Sequence, residues 1–240
     1  MSAYSLVIGA SSAIAQAIIQ QEHKLHPEQQ LICISRNEVH SSQQIGITNF
    51  VCDYQEDSIT ALFEQLKPYA SQFDRVYICN GVLHDDKMKP EKKLEEVNAD
   101  QLMQSFQTNT IIPMLWLSHL IKLLGGTKPT QVVVFSARVG SISDNRMGGW
   151  YSYRASKAAL NMLIKNCAIE YARRAKSVKL IAFHPGTTES PLSKPFQASV
   201  PTNKLFTTEF VAQRLLMILQ QVPMDNQVSY LDWDSQPIDW

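Results

Sequence analysis

Seven short, almost continuously apolar runs alternate with longer stretches of helical composition, and this alternation constrains the chain more than any other feature. The runs lie at 4–8, 31–35, 47–52, 75–79, 131–136, 179–183 and 228–231; the fifth is mostly Val and Phe. Helical composition fills 13–24, 58–66, 100–124, 153–174 and 208–221. A strand that is apolar along its whole length, rather than at every second residue, is buried on both faces. Strands of that kind separated by helices build a parallel sheet covered on both sides. The pattern predicts one doubly wound α/β domain over 1–240, with a mainly parallel seven-stranded sheet. Two polar stretches, 84–98 and 191–207, break the alternation. The second carries Pro191, Pro195 and Pro201 and is long for a compact domain, so it reads as a lid or binding loop.

Charge excludes some partners. Lys plus Arg equals Asp plus Glu at 22 each, so no net field draws the chain to nucleic acid or to an anionic membrane. No apolar run reaches the ~18 residues of a membrane span. Met1-Ser2-Ala3-Tyr4 has no basic region before an apolar segment, which predicts no signal peptide. Cys33, Cys52, Cys79 and Cys167 lack metal-ligand spacing, and the first three fall in apolar runs, which fits a reduced, cytoplasmic setting. His84, His119 and His184 form no zinc pattern with them and read as surface or packing residues; no metal is expected.

Ligands of open parallel sheets bind at the carboxyl ends of the strands. The first such end is Gly9-Ala10-Ser11-Ser12-Ala13-Ile14-Ala15, a glycine followed by small and hydroxyl residues that open a helix. Helix amides and the dipole favour a phosphate there, although a serine-capped turn explains the stretch equally well. Arg36 follows the second strand, where an NAD site prefers an acid; a guanidinium suits the 2′-phosphate of NADP. Asp53 follows the third, placed to accept a hydrogen bond from an adenine amino group. Asn80-Gly81 follows the fourth, a small turn past which a ribose can run. Each signal is weak singly, and their shared location gives them weight.

Tyr153 and Lys157 stand one helical turn apart at the head of the fourth helical run. A phenol has an ordinary pKa of ~10. A neighbouring ammonium lowers it, making the pair a proton donor and acceptor. Taken alone, the pair reads more readily as a packed tyrosine beside an exposed lysine.

Together these motifs resemble the short-chain dehydrogenase/reductase family, classical type, over essentially the whole chain and in the expected order. They are the Gly9–Ala15 turn, Asn80-Gly81, Asn109, the strand end at Ser136, the Tyr153–Lys157 pair and His184-Pro185-Gly186. The stretch from Gly148 to Leu160, and the closing Ser229-Tyr230-Leu231-Asp232-Trp233-Asp234 with Trp240, look like the C-factor and sniffer-type carbonyl reductase branch. The resemblance implies a single Rossmann-fold domain, with a cofactor end at 1–110, a catalytic and substrate-binding part at 130–207, and a C-terminal helix and strand at 208–240. It implies an NADP(H)-dependent oxidoreductase acting on a small carbonyl or alcohol, as a homodimer or homotetramer. Tyr153 is then the general acid and base, and Lys157 binds the nicotinamide ribose and lowers the tyrosine pKa. Asn109 holds a relay water through its helix backbone. Gly9, Ser11, Ser12, Ile14, Arg36, Asp53, Asn80 and Gly81 fall on cofactor positions. So do Pro185, Gly186 and Thr188 beside the nicotinamide, and Ser190 near the phosphate.

Three departures stand out. Ala13 and Ala15 replace two of the three usual glycines, the Asn-Ala-Gly motif is reduced to Asn80-Gly81, and Ala137 occupies the position of the substrate-orienting serine. Either Ser136, which keeps the strand-end location, or Ser141, twelve residues before Tyr153, replaces it, or the donor is missing. These departures favour a second reading, a non-catalytic or signalling nucleotide-binding protein on the same fold. Met147, Trp150, Leu192, Phe196 and Phe206 suggest walls for an apolar or aromatic carbonyl compound.

Overall fold

The computed structural model describes residues 3–37 and 46–240; Met1 and Ser2, on which the amino-terminal reading partly rests, lie outside them. The chain runs β1 (Tyr4–Ile8), α1 (Ala13–Leu25), β2 (Gln30–Ser35), β3 (Ile47–Val51), α2 (Glu56–Leu66) and β4 (Phe73–Ile78). It continues through α3 (Ala99–Phe106), α4 (Ile112–Leu123), β5 (Thr130–Phe135), α5 (Tyr151–Arg174) and β6 (Val178–His184). Two short strands, β7 (Thr187–Thr188) and β8 (Leu205–Phe206), precede α6 (Thr208–Gln221) and β9 (Ser229–Asp232). Seven of these strands form one sheet in the order β3-β2-β1-β4-β5-β6-β9. Every neighbouring pair in it is parallel, so the sheet is wholly rather than mainly parallel.

Why the strands read as continuous apolar runs is visible in the packing. Leu6, Ile8, Ile32, Ile34, Val132 and Val134 face α2, α4 and α5 in one core, whereas their neighbours Val7, Leu31, Cys33, Val133 and Phe135 face α1 and α6 in the other. Both faces are buried, so neither can be polar. The chain winds outward from β1 to β3, returns to β4 beside β1, and winds outward again. The reversal between β1 and β4 opens a crevice at the carboxyl end of the sheet.

The structure departs from the sequence pattern in two places. The helix expected over 100–124 is α3 and α4 joined by a π-helical turn at Gln107–Ile111. Pro113 has no N–H, so the Asn109 carbonyl lacks the donor that an α-helix would supply four residues on. The loop after β6 is clamped at its base, because β7 pairs with β8 and the Glu189 N–H donates to the Phe206 carbonyl at 2.8 Å. The segment between them arches out as 3-10 turns at Lys194–Ser199 and Thr202–Lys204. No helix among the described residues is long and apolar enough to cross a membrane.

Candidate active site

Two cavities meet at the carboxyl ends of the strands. The first, about 370 Å³, is walled on the α1 side by Ser11, Ser12 and Ile14, and on the β4 side by Asn80 and Gly81. Tyr153, Lys157, Pro185 and Ser190 close it. The turn into α1 is tightly fixed. Gly9 has φ +80°, and a Cβ there would lie 3.0 Å from the Cys79 carbonyl carbon, so only glycine fits. The Tyr54 hydroxyl accepts the Gly9 N–H and donates to the Ile34 carbonyl, both at 3.0 Å. Ser12 caps α1, its Oγ accepting the Ala15 N–H at 3.3 Å. Asn80 is buried and its Oδ1 has no partner. A turn with free hydroxyls, a helix N-terminus and an unpartnered acceptor fits a dinucleotide. Arg36 and Asp53 stand exposed beyond β2 and β3, outside this wall, and the Asp53 carboxylate already accepts the Gln55 N–H at 2.9 Å.

The Tyr153–Lys157 pair is held from outside its own helix. Trp150, at φ 51°, turns the chain into α5. Its N–H donates to the Glu91 carbonyl oxygen at 2.5 Å, and the buried Glu91 carboxylate accepts the Ser152 N–H at 3.2 Å and the Ser152 hydroxyl. An acid at a helix N-terminus complements the dipole. Gly140 packs against Lys157 so closely that a Cβ would lie 2.8 Å from the lysine backbone carbon. Lys157 is itself buried, and its Nζ donates to the Phe135 carbonyl at 2.9 Å. Burial draws its ammonium down to about 8. Tyr153 moves against the sequence expectation: burial, with the Tyr230 phenol adding to it, holds its hydroxyl above the ordinary value. Desolvation outweighs a lysine whose proton is directed to a carbonyl.

Asn109 lies in the π-helical turn, fully buried. Its Oδ1 accepts the Val82 N–H at 2.7 Å, while its Nδ2 donates to the Val82 carbonyl at 2.9 Å and to Ser156 Oγ at 3.0 Å. The side chain is thus locked between the β4 loop and α5.

The second cavity, about 360 Å³, adjoins the first through Ser136, Tyr153, Ile14, Pro185, Ser190 and Leu192. Gly186 and Thr188 line it, with Met147, Trp150 and Phe196 as the expected apolar wall. Phe206 does not; its ring packs on Trp233 at 4.3 Å and on Phe210 at 5.0 Å, beneath Gly186. The structure also separates the two serines. Ser136 lines both cavities beside Tyr153, although its hydroxyl donates to Asn161 Oδ1 at 2.5 Å. Ser141 lies in a different depression with Gly140 and Arg154, its Oγ accepting the Asp144 N–H at 3.2 Å. Ala137 is on the second cavity's wall, and so is His184, which in the sequence reads as a surface or packing residue. Tyr54 and Glu91 were missed as well. Each acts through long-range hydrogen bonds that no local pattern announces.

A sequence model of the short chain dehydrogenase family matches residues 4–200. The 1-hydroxy-2-glutathionyl-2-methyl-3-butene dehydrogenase of Rhodococcus sp. (strain AD45) is 26% identical over 235 residues, covering 98% of each chain. The carbonyl reductase Sniffer of D. melanogaster superposes with a TM-score of 0.85 at 17% identity, covering 100% of both chains. An NADPH-bound carbonyl reductase from chicken fatty liver does so at 0.84 and 19%, again over 100% of both chains.

Proposed function

The chain belongs to the short-chain dehydrogenase family, and we propose that within it this protein is an NADP(H)-dependent carbonyl reductase with Tyr153 as its general acid and base. Oxidoreductases of this family use nicotinamide cofactors. When bound, such a cofactor exchanges a hydride with the carbonyl carbon, and the protein supplies position and a proton. One observation carries the reading: Tyr153 and Ser136 stand at the junction of two adjoining cavities, one built like a nucleotide cleft and one mostly apolar.

The first cavity holds the cofactor. Ser11, Ser12 and the α1 amides take its phosphates, Asn80 and Gly81 its adenosine side, and Lys157 its ribose. Arg36 is the group for a 2′-phosphate and supports NADP over NAD, as does the NADPH bound by the chicken carbonyl reductase. Asp53 accepts from the adenine. Pro185, Gly186 and Thr188 meet the nicotinamide where the first cavity opens into the second, and Ser190, which lines both, stands near the phosphate. In the second cavity Tyr153 carries its proton at neutral pH, because burial raises its pKa. That is the form needed to protonate a developing alkoxide. Among the described residues no Asp, Glu, Lys or Arg lines this cavity, which suits an uncharged apolar or aromatic carbonyl compound.

The test is Tyr153→Phe. NADPH affinity, read by fluorescence titration, stays unchanged, and turnover on a panel of aromatic and aliphatic carbonyls falls by about 10²–10⁴. Unchanged turnover would remove Tyr153 from the reaction. NADPH binding by the unaltered protein with no turnover on any carbonyl would remove the reductase reading itself.

A further inference from the structure

A carbonyl that receives a proton from one side is held more firmly when a second donor meets its other lone pair. Most of the hydroxyls on the second cavity's wall already donate within the protein. Ala137 contributes a methyl group. The Ser136 hydroxyl donates to Asn161, that of Ser190 to the Thr188 carbonyl at 3.2 Å, and that of Ser193 to the same carbonyl.

His184 is differently placed. It ends β6 beside the end of β5: Phe135 pairs with Phe183, and the Ser136 N–H donates to the Phe183 carbonyl at 2.8 Å. His184 is therefore the residue beside Ser136 on the neighbouring strand end, and it lines the cavity that Tyr153 also lines. Its Nδ1 is buried with no hydrogen-bond partner. An unpaired buried N–H is the costlier choice, so a lone pair sits there and the proton sits on Nε2. Burial, reinforced by the Arg138 guanidinium and opposed by the Asp232 carboxylate, draws the imidazole down to about 4, so the ring is uncharged at neutral pH. A neutral ring donates one hydrogen bond without placing a charge in an apolar cavity.

We propose that His184, as a neutral imidazole donating from Nε2, orients the substrate carbonyl opposite Tyr153 and supplies the hydrogen bond that Ala137 cannot. This rests on the carbonyl-reductase reading and assigns one more residue to that site.

Two measurements test it. In the kinetic arm, His184→Leu lowers kcat on an aromatic ketone by about 10²-fold, the scale for losing a donor at a developing oxyanion. His184→Gln, which keeps an N–H near the Nε2 position, retains most of that rate. Adding Ala137→Ser to His184→Leu restores at least about tenfold, because a hydroxyl returns to the same wall. Unchanged NADPH affinity shows that each variant is folded. In the binding arm, the ring ¹⁵N resonances of His184 are followed as benzil, an uncharged aromatic diketone, is added to the Tyr153→Phe protein loaded with NADP. A shift in the Nε2 signal supports the contact. No shift, or His184→Leu turning over like the unaltered protein, overturns it. If the unaltered protein reduces no carbonyl, the functional reading fails, and the resonance shift alone decides whether His184 meets a carbonyl ligand.

Discussion

Two buried polar clusters sit at opposite ends of the sheet, and they are completed in different ways. At the end where β4 begins, Glu22 of α1 is fully buried and accepts two hydrogen bonds from the Arg75 guanidinium, both at 2.9 Å, and one from the Tyr77 hydroxyl. Charge meets charge, and the carboxylate accepts three hydrogen bonds from two side chains. At the carboxyl end, Lys157 is equally buried but has only a neutral carbonyl, and Asn80 Oδ1 and His184 Nδ1 have no partner. The contrast lies in the side chains and not in the backbone, since Gly9, Trp150 and Gly186 hold positive φ near the cavities and Ser71 and Gly46 hold it at the opposite end. A satisfied network holds the fold together, whereas unsatisfied buried groups are what a ligand site requires.

The contrast predicts that the two ends respond oppositely to substitution. The largest effect belongs to the far end. Glu22→Ala leaves the mostly buried Arg75 without its carboxylate and destabilises the fold by about 3–5 kcal/mol, the usual result of breaking a buried pair. Urea unfolding measures it, and turnover of the folded fraction stays within about twofold, since Glu22 reaches neither cavity. A loss below about 1 kcal/mol would make this cluster no more structural than a surface ion pair.

Lys157→Met acts the other way, abolishing turnover while stabilising the protein. The lysine pKa is depressed from 10.5 to about 8 in the fold. Between those values the unfolded chain binds more protons than the folded one, so stability rises with pH across that window. Below about pH 8 the folded protein carries the full penalty, of order 3 kcal/mol, of burying the ammonium. The methionine variant lacks the penalty, so it is more stable at pH 7 and shows a smaller rise between pH 8 and 10.5. Stability curves at several pH values check this, and equal slopes for the two proteins would show that Lys157 is not a strained cation.

What could be read from the sequence followed the range of the interactions. Strands and helices came through because both faces of each strand are buried, so composition alone marks them. The cofactor turn and the Tyr153–Lys157 pair came through because each is a local spacing that one helix or turn imposes. The break at Gln107–Ile111 does not show in the sequence because the residues on both sides of it read as one helical run, although Pro113 carries its cause. Phe206 was misread because an aromatic residue in a binding loop looks alike whether it faces a cavity or packs on Trp233. The expected lowering of the Tyr153 pKa failed for a related reason: spacing brings two side chains to one face of a helix, but tertiary contacts decide where the lysine proton points and how deeply the phenol is buried.

The smallest predicted effect concerns the two serines. In the sequence, spacing to Tyr153 points to Ser141 and the strand-end location to Ser136, and the two fall in different depressions of the fold. Ser141 is buried, but its hydroxyl engages Asp144 and Ser143 in a depression that Tyr153 does not line. Ser141→Ala removes two long hydrogen bonds, at 3.2 and 3.3 Å, costing about 1 kcal/mol of stability and leaving kcat and KM within about twofold. Ser136→Ala removes a hydroxyl at the junction of the cavities and frees Asn161 Oδ1, so it raises KM for the carbonyl as well as lowering stability by a similar amount. Steady-state kinetics and urea unfolding of the two variants side by side decide the matter. If Ser141→Ala proved the more damaging to kcat, the loop carrying Ser141 would have to reach Tyr153 in the working enzyme, and the separation of the two serines would not survive.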